Sequence, residues 1–392
     1  MRTKERASDM EKETRLSIKF IITALVAITN LSNMPLLMQY SNSYVHLLWF
    51  LALVTIIFLK RKIEINDSIY KISCSCIFFL ILIIILELFT SNKYLEAPHT
   101  KLLLSSLFLI ICGSNFSKEF IFNTQQYYAY YFSAVIVAFN VYVKYLLSFD
   151  FDNLIYAYAS KNSVSQIILT AIFIGFIIPV NNKKIRFFIY SLNILLIYEL
   201  LMLRSRASIL GLIVFALTVI FANNGVNKKM KIVIVAFCTI LLYLIIFDDS
   251  VYNFIINNLL LNNRAGGTLD DISSNRAGMI IDGVDIFLNN TFYGVGNYFI
   301  ECFYLSTFVQ YGIFGGLYLT AYTFLPLLWF IKNKNKLRKE VLFFILVTLS
   351  YILNGVFESQ APLGPGVKCY YLWVLFGAGL SDEISIDNKE TR

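Results

Sequence analysis

The chain of 392 residues is 58% hydrophobic and only 15% charged, and its mean hydropathy is +0.67. A soluble protein carries about a quarter charged residues, so this composition argues against a soluble enzyme and predicts an integral membrane protein. The formal net charge of +8 is typical of a nucleic-acid-binding protein or of a protein at an acidic membrane surface, and the positions of the basic residues decide between the two.

The apolar runs predict an all-α fold, because a helix of roughly 20 apolar residues crosses the hydrocarbon core of a bilayer. By this measure the chain is a polytopic transmembrane helix bundle of about twelve spans, and residues 1–392 form a single transmembrane domain. The predicted spans cover residues 16–37, 43–59, 72–90, 100–115, 127–148, 163–180, 187–203, 206–222, 232–248, 306–331, 341–357 and 368–381.

Lysine and arginine crowd the N-terminal segment and every second connection between the predicted spans. Cytoplasmic loops of membrane proteins are rich in these residues, so the pattern predicts that both termini lie in the cytoplasm. Because the basic residues fall in every second loop, the orientation of the chain in the membrane accounts for the positive net charge. Nucleic acid is therefore not an expected partner.

The largest predicted extracytoplasmic segment is a periplasmic loop at residues 249–305. Within it, residues 274–288 repeat apolar side chains at helical spacing, and Ser274 or Asn275 suits the N-cap of a helix. We therefore predict a short amphipathic helix in this loop. The turn Gly294-Val295-Gly296 follows it.

Two arginines stand where the seventh predicted span ends and the eighth begins. Arg204 and Arg206 flank Ser205, and arginine near the hydrocarbon usually faces a polar cavity or a partner. Two guanidinium groups on one turn suit the binding of a diphosphate. The alternative is that they anchor the hairpin at the membrane interface. Glu199, about one turn deeper in the seventh span, is a candidate partner.

Other polar residues are predicted on the same side of the membrane. Arg276 begins the loop helix, where a helix N-terminus already favours anions, although a solvated loop charge is the alternative. Lys161-Asn162 precedes the sixth span. The alternative to a role in binding is an interfacial lysine beside an asparagine that caps the helix. Glu301 and Glu358 suit general acid/base work or, equally, ion pairs with the outer arginines.

The order of these elements resembles the O-antigen polymerase and O-antigen ligase superfamily of lipopolysaccharide assembly. The resemblance covers residues 160–316 and includes Lys161-Asn162, Ser205-Arg206, Arg276 with its helix, Asn290-Thr291-Phe292-Tyr293-Gly294-Val295-Gly296, and Tyr311-Gly312-Ile313-Phe314-Gly315. Thr291 replaces the proline of the family's Gly-turn motif. Ligases typically carry His-Asn-x-Tyr-Leu, where this chain has Glu301-Cys302 ahead of Tyr304-Leu305, and this departure favours a polymerase.

The resemblance implies a polymerase of O-antigen or a related surface polysaccharide in the bacterial inner membrane. Such an enzyme is a metal-independent glycosyltransferase without a cofactor, which transfers a glycan from undecaprenyl diphosphate to a lipid-linked repeat unit at the periplasmic face. By the resemblance, the catalytic residues are Arg204, Arg206 and Arg276, which bind the diphosphate, and Glu301, which takes the proton from the attacking hydroxyl. The expected substrate-binding residues are Lys161, Asn162 and Glu358, of which Glu358 is the second candidate for the base.

The expected partners are the undecaprenyl-diphosphate-linked oligosaccharide and membrane lipid, and a chain-length regulator protein is a further candidate. Two alternatives remain from the sequence. An O-antigen ligase, or a polymerase of capsule or another envelope polymer, would share the site and differ in its acceptor. A flippase or transporter of lipid-linked oligosaccharide would place charges along the spans, whereas charge inside the predicted spans is sparse and consists of Glu87 and Glu199.

Overall fold

The protein is described by a computed structural model over residues 2–35, 37–60, 65–90, 92–116, 123–146, 161–178, 182–221, 276–333, 340–364 and 369–381, with a few isolated residues between these ranges. Helices occupy most of these residues, and no strand occurs among them. The predicted all-α class is therefore confirmed.

Twelve α-helices lie within the described ranges, and we number them in chain order. They are α1 (Arg2–Leu31), α2 (Met38–Lys60), α3 (Asp67–Thr90), α4 (Pro98–Asn115), α5 (Thr124–Val141), α6 (Lys161–Ile177), α7 (Lys183–Met202), α8 (Arg206–Phe221), α9 (Arg276–Asn289), α10 (Phe303–Lys332), α11 (Glu340–Phe357) and α12 (Tyr370–Leu380). A π-helical turn (Tyr142–Leu146) continues α5.

Four helices are long and apolar enough to cross a membrane, namely α3, α7, α10 and the Thr14–Leu31 part of α1. Shorter apolar helices lie within α6, α8, α11 and α12. Large apolar side chains also point outwards, and Leu88 and Phe89 at the end of α3 are 78% and 84% exposed. Exposed apolar surface of this kind marks contact with a membrane or a partner, so the chain is a membrane protein. The predicted ninth span at 232–248 lies largely outside the described residues.

Helix α1 ends earlier than the sequence predicted for the first span. The prediction extended this span to residue 37, whereas the helix ends at Leu31. The Ser32 hydroxyl and the Asn33 amide both donate to the backbone carbonyl of Thr29, at 2.7 and 3.1 Å. Short polar side chains that bond the backbone compete with the next helical turn, and Pro35 cannot donate a backbone hydrogen bond.

Helix α12 lies in the middle of the bundle. All of its 11 residues are buried, and it packs most closely on α4, where Gly113 and Gly377 each face the backbone of the other helix. Small residues allow such close approach between membrane helices. The indole N–H of Trp373 donates to the carbonyl of Pro362 at 3.0 Å. Because other helices surround α12, its short length does not expose polar backbone to lipid.

Helix α10 is interrupted at Gly312, which has φ 68° and ψ −171°. L-residues with a side chain rarely adopt this conformation, and a Cβ at this position would also overlap the carbonyl oxygen of Phe292. The turn after α9 docks at the interruption through three backbone hydrogen bonds, from Val295 N to Val309 O (2.9 Å), from Gly296 N to Gln310 O (3.0 Å) and from Ile313 N to Thr291 O (2.7 Å). The two glycine motifs of the sequence therefore contact each other.

Helices α6 and α8 run in the same direction. Leu169 of α6 lies beside Gly211 of α8, and one turn later Phe173 stacks on Phe215 at 4.9 Å between ring centroids. Helix α11 runs in the opposite direction, because the start of α6 contacts the residue that follows α11. Helices α6 and α8 therefore begin at the end of the bundle where α11 finishes. We call this the Glu358 end.

Helices α4 and α10 begin at the Glu358 end as well. The hydroxyl of Tyr304, in the first turn of α10, donates to the carbonyl of Ile352 in the last part of α11 at 2.8 Å. His99, in the first turn of α4, contacts the carbonyl of Ser359 at 2.7 Å. This arrangement gathers the helix ends that carry the predicted site residues.

Candidate functional site

The Glu358 end brings Asn162 and Glu358 into direct contact. The side-chain amide Nδ2 of Asn162, in the first turn of α6, donates a hydrogen bond to Oε1 of Glu358, which follows α11. These residues stand 196 positions apart in the sequence. Lys161 is the first residue of α6, and its side chain lies outside the described part of the structure.

Arg276 and Glu301 form a second pair. The guanidinium Nε of Arg276 lies 2.6 Å from Oε2 of Glu301, and the two side chains are 24% and 37% exposed. Helix α9, which begins with Arg276, rests on the start of α10, because Gly283 lies beside Ile300 and Leu305. Of the two roles considered for Glu301, the structure contains an ion pair, with Arg276.

Tyr304 connects the two pairs. It stands three residues after Glu301, and its ring lies beside Gly355, three residues before Glu358. Its hydroxyl bonds the carbonyl of Ile352. The two carboxylates therefore belong to segments that pack on each other.

Arg204 lies in the turn between α7 and α8 and is buried. Its φ of 51° is unusual for a residue with a side chain and persists only where the surrounding structure fixes it. An arginine that anchors a hairpin at the interface would extend its head group to water, and the burial of Arg204 does not fit that alternative. Arg206 is the first residue of α8 and is half-buried.

Ser205 and Ser208 line the turn beside Arg204. Both serines are buried, and the Ser205 hydroxyl donates to the Ser208 hydroxyl at 3.3 Å. Glu199, the candidate partner of Arg204, is buried in α7, and its Oε1 atom accepts no hydrogen bond within the described residues. This oxygen therefore does not make the contact that the sequence suggested.

His99 joins three segments at this end, and the sequence reasoning did not identify it. One ring nitrogen lies 2.8 Å from Oε1 of Gln310 at the α10 interruption, and the other lies 2.7 Å from the carbonyl of Ser359, next to Glu358. The amide of Gln310 in turn donates to the carbonyl of Tyr298 at 2.6 Å. The partners of His99 lie 211 and 260 residues away, so no local pattern could have revealed them.

The connection between α3 and α4 contacts the turn Gly294-Val295-Gly296. The hydroxyl of the buried residue Tyr94 donates to the carbonyl of Tyr293 at 2.9 Å, and the amide of Asn92 donates to the carbonyl of Gly294 at 3.4 Å. Lys93 between them is exposed and donates to Glu96 at 2.9 Å, and this hydrogen bond raises the pKa of the lysine. Its charge is therefore paired locally.

The Glu358 end can bind an anion and can accept a proton. It combines a guanidinium–carboxylate pair, a second carboxylate held by an amide, and the arginines of the α7–α8 turn. Within the part of the chain that the structure describes, no three His, Cys, Asp or Glu side chains form a group that could hold a metal ion. No family model matches the chain, and no curated protein matches it either.

Proposed function

We propose that the chain is a polymerase of O-antigen or a related surface polysaccharide in the bacterial inner membrane. In this proposal the chain crosses the membrane about twelve times, both termini lie in the cytoplasm, and residues 249–305 form a periplasmic loop. The Glu358 end then faces the periplasm, where the lipid-linked substrates lie.

The observation that supports this proposal most is the pairing of residues chosen from the sequence for one reaction. Arg276 contacts Glu301, and Asn162 contacts Glu358. Each pair joins residues that are remote in sequence, and both pairs lie at helix ends on one side of the bundle. Such an arrangement suits a reaction at one leaflet of the membrane.

The reaction needs an anion site and a proton acceptor. The acceptor hydroxyl attacks the anomeric carbon of the donor glycan, and the bond from that carbon to the diphosphate oxygen breaks. The electron pair of that bond leaves with undecaprenyl diphosphate, and the hydroxyl proton passes to a carboxylate. Arg204, Arg206 and Arg276 would stabilise the leaving diphosphate, because fixed positive groups aimed at developing charge lower the barrier.

The pairing favours Glu358 over Glu301 as the proton acceptor. Protonation of Glu301 would remove the counter-charge of Arg276, which lies 2.6 Å away. Glu358 accepts a hydrogen bond from the side-chain amide of Asn162. In this proposal Glu301 orients Arg276, and Lys161 with Asn162 helps to hold the donor.

The decisive experiment uses a strain that lacks the gene and is complemented with variants. Arg206→Ala and Arg276→Ala should give surface glycan that is still attached but stops at one repeat unit. Lys71→Ala is a matched control, since Lys71 also forms an ion pair, with Asp67, but on an exposed part of α3; this variant should give long chains.

Two other results would contradict the proposal. Loss of all surface glycan in both arginine variants would indicate a ligase or a flippase. Normal long chains from both variants would show that these arginines do not form the site. Immunoblotting of the membrane fraction in each strain establishes that every variant is present at the level of the unmodified protein.

A further inference from the structure

A line of buried polar side chains runs inwards from the Asn162–Glu358 pair, between α6 and α11. One turn deeper on α6, Gln166 donates to the hydroxyl of Ser350 at 2.9 Å. Asn354 stands one turn below Glu358 on α11 and is buried. The line therefore starts at the candidate site and continues into the bundle.

Deeper in the bundle the line reaches α5. The hydroxyl of Tyr130 faces Thr170 of α6 and Tyr351 of α11. One turn away on α5 lies Gln126, whose Oε1 accepts a hydrogen bond of 3.1 Å from Tyr371. Tyr127, next to Gln126, packs on Phe343 near the start of α11, so Gln126 lies far from the Glu358 end and the line crosses much of the bundle.

Three amide atoms of this line have no hydrogen-bond partner among the described residues. They are Nε2 of Gln126, Oε1 of Gln166 and Nδ2 of Asn354. Their residues are at most 1% exposed. Buried polar atoms are nearly always hydrogen-bonded, and buried water is a common partner where protein groups provide none. Three such atoms, one on each of three neighbouring helices, point to one ligand site.

The chemistry of the three atoms identifies the ligand. The amides of Gln126 and Asn354 offer N–H donors, and the Gln166 oxygen is an acceptor. None of them is charged, so the site does not suit an ion, and an acyl chain cannot form hydrogen bonds. The ligand must be small, since the residues are closed off from the surface, and it must both donate and accept.

We propose that this line, from Gln126 to Asn354, binds a chain of water molecules that reaches Glu358 from inside the bundle. The consequence for the reaction rests on the polymerase proposed above. Two lipid-linked glycans would cover the outer face of the site, so the proton taken up by Glu358 needs a route that the substrates do not block. Water below Glu358 provides that route, whereas the binding of water itself does not depend on the reaction.

Radiolytic hydroxyl-radical footprinting of the full chain in lipid nanodiscs tests the proposal, because radicals form from water bound next to a side chain. Tyr130 and Tyr351 should be oxidised although they are buried. Tyr322 is the matched control, since it is equally buried in α10 and its hydroxyl is bonded to Ser106 at 2.9 Å. Oxidation of Tyr130 and Tyr351 at the rate of Tyr322 would overturn the proposal.

The variant Asn354→Leu provides the second measurement. Leucine has the same branching as asparagine but is bulkier and has no hydrogen-bonding group, so it excludes water from this part of the line. Thermal unfolding of the variant checks that it remains folded. Oxidation of Tyr351 should fall towards the rate of Tyr322, and an unchanged rate would contradict the proposed course of the water. Footprinting does not depend on enzyme activity. If Tyr130 is oxidised in a chain that does not polymerise glycan, the proposed polymerase is wrong and the proposed water site stands.

Discussion

The Nε atom of Arg276 lies 2.6 Å from Oε2 of Glu301, so the residue expected to bind a phosphate and the residue expected to accept a proton are partners of each other. A guanidinium carries five N–H donors in a planar fork, and this contact uses the Nε–H. The carboxylate thereby fixes the orientation of the fork. For the proposed reaction, the pair therefore favours a division of roles, in which Arg276 would contact the leaving group and Glu358 would accept the proton.

Exchange of each glutamate for glutamine tests this division. Glu358→Gln should lower kcat by at least about 100-fold, which is typical for the loss of a general base, while KM for the donor changes little. Glu301→Gln should raise KM for the donor and lower kcat less than Glu358→Gln does, because Arg276 loses its fixed orientation while the proton acceptor remains. The measurement is chain extension by the purified protein with lipid-linked repeat units. The reverse pattern would assign the proton to Glu301.

Under the proposed function, removal of divalent cations should leave chain extension active. In that proposal, three arginines supply the positive charge that a metal ion supplies in many enzymes acting on diphosphates. Chain extension should continue at the same rate after treatment with EDTA and dialysis. An activity that disappears with EDTA and returns with Mg²⁺ or Mn²⁺ would contradict this role of the arginines.

Gly312→Ala should destabilise the protein by at least about 2 kcal/mol, the cost of a strained backbone conformation with a steric overlap. The overlap is with the backbone carbonyl of Phe292, which cannot move without displacing the turn after α9. Gly283→Ala is the control. Its Cβ would meet only the side-chain ends of Ile300 and Leu305, and alanine is the better helix former by about 1 kcal/mol. Thermal unfolding in detergent should separate the two variants.

His99→Ala should destabilise the connection between α10 and the segment after α11. The substitution removes the contacts of the ring with Oε1 of Gln310 and with the carbonyl of Ser359, and a buried acceptor that loses its donor costs about 1 to 3 kcal/mol. Hydrogen exchange of the backbone near Ser359 should rise. In a double-mutant cycle with Gln310→Leu, the two effects should be less than additive, and strict additivity would show that the contact contributes nothing.

Helix α9 should lie in the membrane interface with one flank in lipid. Val284 and Leu288 are 41% and 65% exposed on one flank, whereas Asp282 and Asn289 are exposed on the other. A helix with this division of its surface binds at the boundary between head groups and acyl chains. In a variant without native cysteines, an environment-sensitive dye on Val284→Cys should emit at shorter wavelength than the same dye on Asp282→Cys. Equal emission would contradict this orientation.

Local patterns predicted much of the fold, because apolar length and helical periodicity are properties of consecutive residues. The loop helix is an example, since the expected range 274–288 and the observed range Arg276–Asn289 agree closely. The end of α1 was missed because it depends on hydrogen bonds from Ser32 and Asn33 to the backbone rather than on hydropathy.

The sequence predicted individual residues of the candidate site but not the contacts between them. Chemistry at membrane boundaries identified Asn162, Glu358, Arg276 and Glu301, but which of them would meet depends on how α6, α9, α10 and α11 pack. His99 was missed for the same reason. A buried histidine beside a helix start has no distinguishing neighbours in sequence, and only the folded chain brings Gln310 and Ser359 to its ring.

The central position of α12 has a consequence for biogenesis. The ribosome delivers this helix after the eleven others described, yet it occupies the space that α4 and its neighbours enclose. Until it arrives, the face of α4 around Gly113 lacks its closest packing partner, and Gln126 of α5 lacks the hydroxyl of Tyr371. The close contact between α4 and α12 can therefore form only after the other described helices have been synthesised.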